Sequence, residues 1–212
     1  MLLKRQKNFL DRYTIGVWEI NPLNGLVDIE GDFNYGNFPK NVDRPLRGLR
    51  FGNVTGNFIF ESSIKSSYML DLDGFPQRVG KNFSCSRCHI KSLKGGPTEV
   101  GGDYYCSFND LNNFNYAPEV IPGDFIGRFN HELESFEGLP KLIGGDLNLE
   151  DGYPWQTKVD TKNLILVYQS EIGGSIKFDG AYREGISAIE SLAIPGISMS
   201  NILRVMSKRG VI

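Results

Sequence analysis

A mainly β fold, a solenoid of short parallel strands closed by a cap at each end, is the class this sequence predicts. Three observations carry the prediction. A Gly-Gly-Asp motif or a near relative returns along the chain, an alternating apolar pattern follows each copy, and a Gly and a Pro stand at a fixed distance before most of the next copies.

The motif occurs as Ile29-Glu30-Gly31-Asp32-Phe33, Val54-Thr55-Gly56-Asn57-Phe58, Val79-Gly80-Lys81-Asn82-Phe83 and Val100-Gly101-Gly102-Asp103-Tyr104. It continues as Ile121-Pro122-Gly123-Asp124-Phe125, Ile143-Gly144-Gly145-Asp146-Leu147 and Ile172-Gly173-Gly174-Ser175-Ile176. Steps between the Asp, Asn or Ser positions are 25, 25, 21, 21, 22 and 29. A period of this length marks a solenoid, in which one supersecondary unit buries its apolar face only against its neighbours.

Within each copy the strand is the clearest element. Tyr104 and Cys106 alternate with polar or exposed positions, as do Phe83/Cys85, Phe58/Phe60, Phe33/Tyr35, Leu147/Leu149 and Ile176/Phe178, the pattern of a strand buried on one side. One strand per repeat, in one parallel sheet, is therefore expected. The paired Gly before it suit a tight bend, because Gly tolerates positive φ. Leu72-Asp73-Gly74-Phe75-Pro76, Leu93-Lys94-Gly95-Gly96-Pro97 and Phe136-Glu137-Gly138-Leu139-Pro140 form a second landmark, which Phe114-Asn115-Tyr116-Ala117-Pro118 shares with Tyr in place of Gly. Gly and Pro this close preclude a long helix, so the return path is extended or a short 3₁₀ segment.

The spacing apolar-x-apolar-x-x-Asn/Cys-x-apolar in Tyr104-x-Cys106-x-x-Asn109-x-Leu111 and Phe83-x-Cys85-x-x-Cys88-x-Ile90 resembles the leucine-rich-repeat family. Phe125-x-Gly127-x-x-Asn130 follows it with one extra residue before Leu133. The chain departs from the family pattern where Gly80, Gly101 and Gly144 stand in place of the first apolar residue, with Val79, Val100 and Ile143 one position early. The resemblance implies a leucine-rich-repeat-like solenoid over residues 29–180 that presents its strand face to a protein partner. The Gly-Gly-Asp-Phe variant also resembles repeats in proteins of large tailed bacteriophages. That likeness implies a host or defence protein as the partner and the host cytoplasm as the location.

Solenoid ends must be covered, so the flanks are read as caps. Residues 1–28 form the N-terminal one: Phe9, Leu10 and Tyr13 on a short helix, then Val17–Ile20 and Leu26–Ile29 as a strand pair around Asn21-Pro22-Leu23-Asn24-Gly25. Residues 181–212 form a helical C-terminal cap, with Ile186, Ile189 and Leu192 at helical spacing and Ile202, Leu203, Val205 and Met206 on one side of a second helix. The longest step holds an insertion, Asp151-Gly152-Tyr153-Pro154-Trp155-Gln156-Thr157-Lys158, where Trp155 either anchors a partner or folds back over its own rung.

Composition narrows the function. With 212 residues and a formal net charge of −2 the chain has no basic excess to meet a phosphate backbone, so no nucleic acid is expected as partner. The opening Met1-Leu2-Leu3-Lys4-Arg5 breaks into charge at once and lacks the apolar core of a secretory signal, so a cytoplasmic location and no membrane association are expected.

Cys85-Ser86-Arg87-Cys88-His89 and Cys106 invite a zinc reading. The repeat alignment offers a simpler account. Cys85 and Cys106 share a buried strand slot, and Cys88 stands where Asn109 and Asn130 do. His89 and His131 likewise hold one periodic position, with Asp110 as their counterpart. No nucleophile elbow, phosphate loop or paired-His motif occurs. No enzyme activity, metal or cofactor is expected.

What remains is the outward side of the sheet. Asp103, Asp124 and Asp146 fall in its first column, where an Asp after Gly can also serve the backbone as a turn acceptor. Tyr105 and Ile126, with Phe108 and Phe129 at the strand exits and Arg128 between them, make an apolar centre rimmed by those acids and Glu150, the anatomy of a protein-binding patch. Two rival readings stand beside it. A glycan-binding or glycan-processing protein would use the acidic columns, whose neighbouring carboxylates stand about 5 Å apart. A structural assembly component would betray itself by an incompletely capped end.

Overall fold

The computed structural model describes residues 2–36, 48–61, 70–150 and 164–178. The insertion carrying Trp155 and the expected C-terminal cap at 181–212 lie outside the described residues.

Helix α1 (Lys4–Tyr13) opens the chain. Gln6 Oε1 accepts the Leu3 amide at 2.8 Å and so satisfies one of the first-turn donors. β1 (Thr14–Ile20) follows directly and pairs antiparallel with β2 (Val27–Tyr35), the connection turning on Gly25 at φ 74°. β2 is long enough to belong to both cap and solenoid.

Beyond β2 the chain winds as a parallel solenoid. The strand expected after each motif is present: β4 (Phe58–Phe60), β6 (Phe83–Ser84), β8 (Tyr104–Tyr105), β10 (Phe125–Ile126), β12 (Leu147–Asn148) and β14 (Ile176–Lys177). They stack in register on the second half of β2, with Phe33, Phe58, Phe83, Tyr104, Phe125, Leu147 and Ile176 aligned. At the usual spacing between strands this column runs about 30 Å.

A single strand per repeat is where the expectation needs correction. A second column stacks on the first half of β2: β3 (Phe51–Val54), β5 (Arg78–Val79) and β7 (Glu99–Val100), continued as a separate sheet by β9 (Val120–Ile121), β11 (Leu142–Ile143) and β13 (Glu171–Ile172). Most of these strands are two residues long, too short to show an alternation. A short helix α2 (Leu164–Val167) lies before β13.

The bend between the columns also differs from expectation. None of Gly101, Gly102, Gly144 and Gly145 has positive φ. They are Gly because of close approach: a Cβ on Gly101 would overlap the Gly80 carbonyl oxygen, and one on Gly144 that of Pro122. Positive φ occurs instead at the second landmark, at Gly74 (89°), Gly95 (84°) and Gly138 (81°), and Tyr116 adopts it too at 73°.

The core is an aromatic spine. Phe33, Phe58, Phe83, Tyr104 and Phe125 are wholly buried, and consecutive ring centroids lie 4.9, 6.0, 4.9 and 5.6 Å apart. α1 closes the first end by setting Phe9 against Phe33 and Tyr35. At the other end of the described residues Ile172 and Ile176 are only half-buried, although their neighbours Ile143 and Leu147 are fully so.

Tyr104 is the flaw in the spine. Among the described residues its buried hydroxyl has no hydrogen-bond partner, and burial pushes its pKa well up. Four other rungs place Phe in the same slot. Tyr104→Phe removes an unsatisfied polar atom without opening a cavity, so we expect a gain of about 1 kcal/mol. A thermal melt should rise by about 2–4 °C, and an unchanged or lower midpoint would count against the reading.

Candidate binding face

Where the chain turns from the second column into the first, side chains complete the hydrogen bonding. Asp32 Oδ1 accepts the Asn57 amide at 2.6 Å, Asn57 Oδ1 that of Asn82 at 3.2 Å, and Asn82 Oδ1 that of Asp103 at 2.9 Å. The series continues from Asp103 to Asp124 at 2.8 Å, Asp124 to Asp146 at 2.7 Å and Asp146 to Ser175 at 2.7 Å. Each carboxylate or amide thus spans to the next rung. The residue before the acceptor's partner must leave room, and a Cβ on Gly56, Gly102, Gly123, Gly145 or Gly174 would overlap the incoming Oδ1. Only at Lys81 is that Gly missing, and there the bond is the longest of the series.

Inside the coil a second ladder runs at the strand exits. Asn109 Nδ2 donates to the carbonyls of Cys85 and Cys106, while its Oδ1 accepts the amides of Cys88 and Ile90. Asn130 does the same for Cys106, Gly127 and Leu111. Cys88 fills the slot on the rung before, its Sγ donating to Phe60 O at 3.3 Å. The three cysteines are buried and form no disulfide, and desolvation raises the pKa of Cys85 and Cys106. They therefore pack as small protonated apolar groups. Among the described residues no three His, Cys, Asp or Glu side chains group as metal ligands.

The outward face collects most of the expected residues. Tyr105 and Ile126 are register partners on β8 and β10, both half-buried. Tyr105 donates to Asp103 Oδ2 at 2.8 Å, and its pKa is pushed up to about 12 by partial burial and by that bond. It therefore stays a neutral donor at physiological pH. Phe108, 37% exposed, stacks on Phe129 with centroids 4.3 Å apart. Arg128 sets its guanidinium 5.0 Å from the Phe129 ring and donates Nε to the Glu150 carbonyl. Asp146 pairs with Lys177 at 2.7 Å, so that rim is partly neutralised.

Arg87 is the contributor that sequence reasoning left out. Its guanidinium lies 4.2 Å from the Phe108 ring centroid, so the exit column reads Arg87, Phe108, Phe129 along the axis. All three take positive φ, at 62°, 57° and 57°. The signal was present, because Arg87 follows Ser86 as Phe108 follows Ser107. Those serines form a further ladder, Ser86 Oγ accepting the Ser107 amide and Ser107 Oγ that of Arg128.

Compared with protein-family models, with curated proteins and with solved structures, the chain matches none. No helix among the described residues is long and apolar enough to cross a membrane.

The inner ladder generates a paired prediction. Asn109→Ala strands several buried backbone groups and should cost on the order of 3 kcal/mol. Cys88→Asn supplies the group that neighbouring rungs use and should keep the fold. Urea unfolding checks both, and a Cys88→Asn protein as damaged as Asn109→Ala would contradict the equivalence of the slots.

Proposed function

We propose that this chain is a non-enzymatic protein-interaction module that binds a protein partner through the strand face around Tyr105, Ile126, Phe108 and Phe129. The observation that carries the proposal is the stack of exposed Arg87 and Phe108 on half-buried Phe129, beside the Tyr105–Ile126 pair. Bulky aromatic and Arg side chains on a rigid scaffold are the residues that dominate protein interfaces. Exposed apolar residues that adjoin in one patch, unlike ones scattered singly, mark a surface used for interaction.

The Asn109 and Asn130 ladder supports a leucine-rich-repeat-like assignment. A partner among host or defence proteins, met in the host cytoplasm, follows from the phage-type resemblance of the repeats. The glycan reading draws less support. Its carboxylates are committed through Oδ1 to the next rung's amide, a task that Asn57 and Asn82 perform on other rungs, which suits a scaffold better than a reaction centre.

Affinity capture from the native cell tests the proposal, with strand-face variants as controls. Tyr105→Ala and Ile126→Asp should leave unfolding cooperative while weakening capture of a stoichiometric protein roughly 30-fold, the effect of about 2 kcal/mol at an anchor. Glu150→Lys should act mainly on the association rate and lose its effect in salt. Undiminished capture by both Tyr105→Ala and Ile126→Asp would place recognition elsewhere.

A further inference from the structure

β1 forms hydrogen bonds with β2 alone, so one whole edge of this seven-residue strand meets no other strand among the described residues. We propose that this edge pairs antiparallel with β1 of a second copy of the chain, joining two solenoids about a two-fold axis at their N-terminal ends.

The strand lacks the devices that keep edges apart. Natural edge strands carry Lys or Pro, are short, or lie under a covering segment. β1 has no Lys, Arg or Pro in Thr14-Ile15-Gly16-Val17-Trp18-Glu19-Ile20. Ile15 is 65% exposed, Val17 66% and Ile20 41%. α1 spends Phe9 and Leu10 on the core end and leaves these side chains uncovered.

Its sequence also says what the occupant is. With the axis at Gly16, Ile15 lies opposite the partner's Val17 and Thr14 opposite the partner's Trp18. With the axis at Val17, the two Val17 side chains meet. The first register sets apolar against apolar at its centre, whereas the second sets Ile15 against the partner's Glu19, so the axis at Gly16 is the better fit. In neither do the two Glu19 carboxylates stand opposite each other, which like charges on neighbouring strands would penalise. Arg12 precedes the strand and Glu19 lies near its end, both exposed and in no ion pair among the described residues. Antiparallel pairing brings each Arg12 end toward the partner's Glu19 end, whereas parallel pairing would set like charge against like. A two-fold contact needs such a self-complementary patch.

Sedimentation equilibrium of the full chain over a micromolar concentration series tests this, with circular dichroism as the check on folding. Wild type should be a dimer, and Ile15→Lys and Val17→Lys should each raise the dissociation constant at least about tenfold. Arg12→Glu and Glu19→Arg should each weaken association, and the double exchange should restore it. A wild type that stays monomeric would overturn the proposal. So would a dimer indifferent to both Lys variants. A monomer whose Val17→Lys variant melts early would show instead that the chain's own residues cover the edge, and would overturn it as well.

Discussion

Everything in this coil depends on how one backbone amide per rung is satisfied at the bend between its two strand columns. The Asp or Asn amide there is taken by a side chain of the preceding rung instead of a carbonyl, at 2.6–3.2 Å through six successive steps. A side-chain acceptor reaching across rungs needs the facing residue to lack a Cβ, and a second Gly lets the backbones approach at the corner. Gly-Gly-Asp is thus a solution to hydrogen bonding, with chain reversal a by-product. The requirement that buried backbone groups be paired makes the motif repeat as strictly as the rungs do.

The same reasoning separates what the coil demands from what it merely permits. Positive φ at Arg87, Phe108 and Phe129 recurs at one slot on three consecutive rungs, so it belongs to the geometry of leaving the strand. Strain there is no sign of function by itself. The choice of two Phe and an Arg is a different matter, since a left-handed backbone favours Gly or Asn over bulky residues. Aromatics in that slot carry a penalty that Gly would avoid, and their mutual stacking offsets some of it.

Much of this was legible because repetition converts one weak pattern into seven aligned ones. The first strand column and the inward slots of Cys85, Cys106 and Asn109 follow from spacing alone, and the helix and strand pair of the N-terminal cap follow from periodicity and the Asn-Gly turn. The second column was not legible. Arg78-Val79 and Glu99-Val100 are strands only because neighbouring rungs pair with them, and two residues hold no period. Reading Gly as a positive-φ residue also misled, because its other use, permitting close approach, leaves the same letter in the sequence. At the site, Tyr105, Ile126, Phe108 and Phe129 were found by alternation, but the commitment of the Asp column to the backbone was only one of two readings there, and Arg87 escaped notice as a lone charge.

The two outward surfaces differ in what makes them sticky. On the strand face the strands from β2 to β14 are hydrogen-bonded to one another along the stack, so a partner there meets mainly side chains and specificity rests on Tyr105, Ile126 and the exit stack. At β1 the exposed resource is the backbone edge itself, which any extended segment can satisfy, and side chains serve only to choose among occupants. Four strand spacings, about 20 Å, separate β1 from Tyr105 along the axis. Charge or truncation at one surface therefore touches no partner of the other, and changes more than about 10 Å apart act independently. A dimer through β1 would turn two moderate strand faces into one bivalent binder, with a gain set by whether two copies of the partner stand at matching separation.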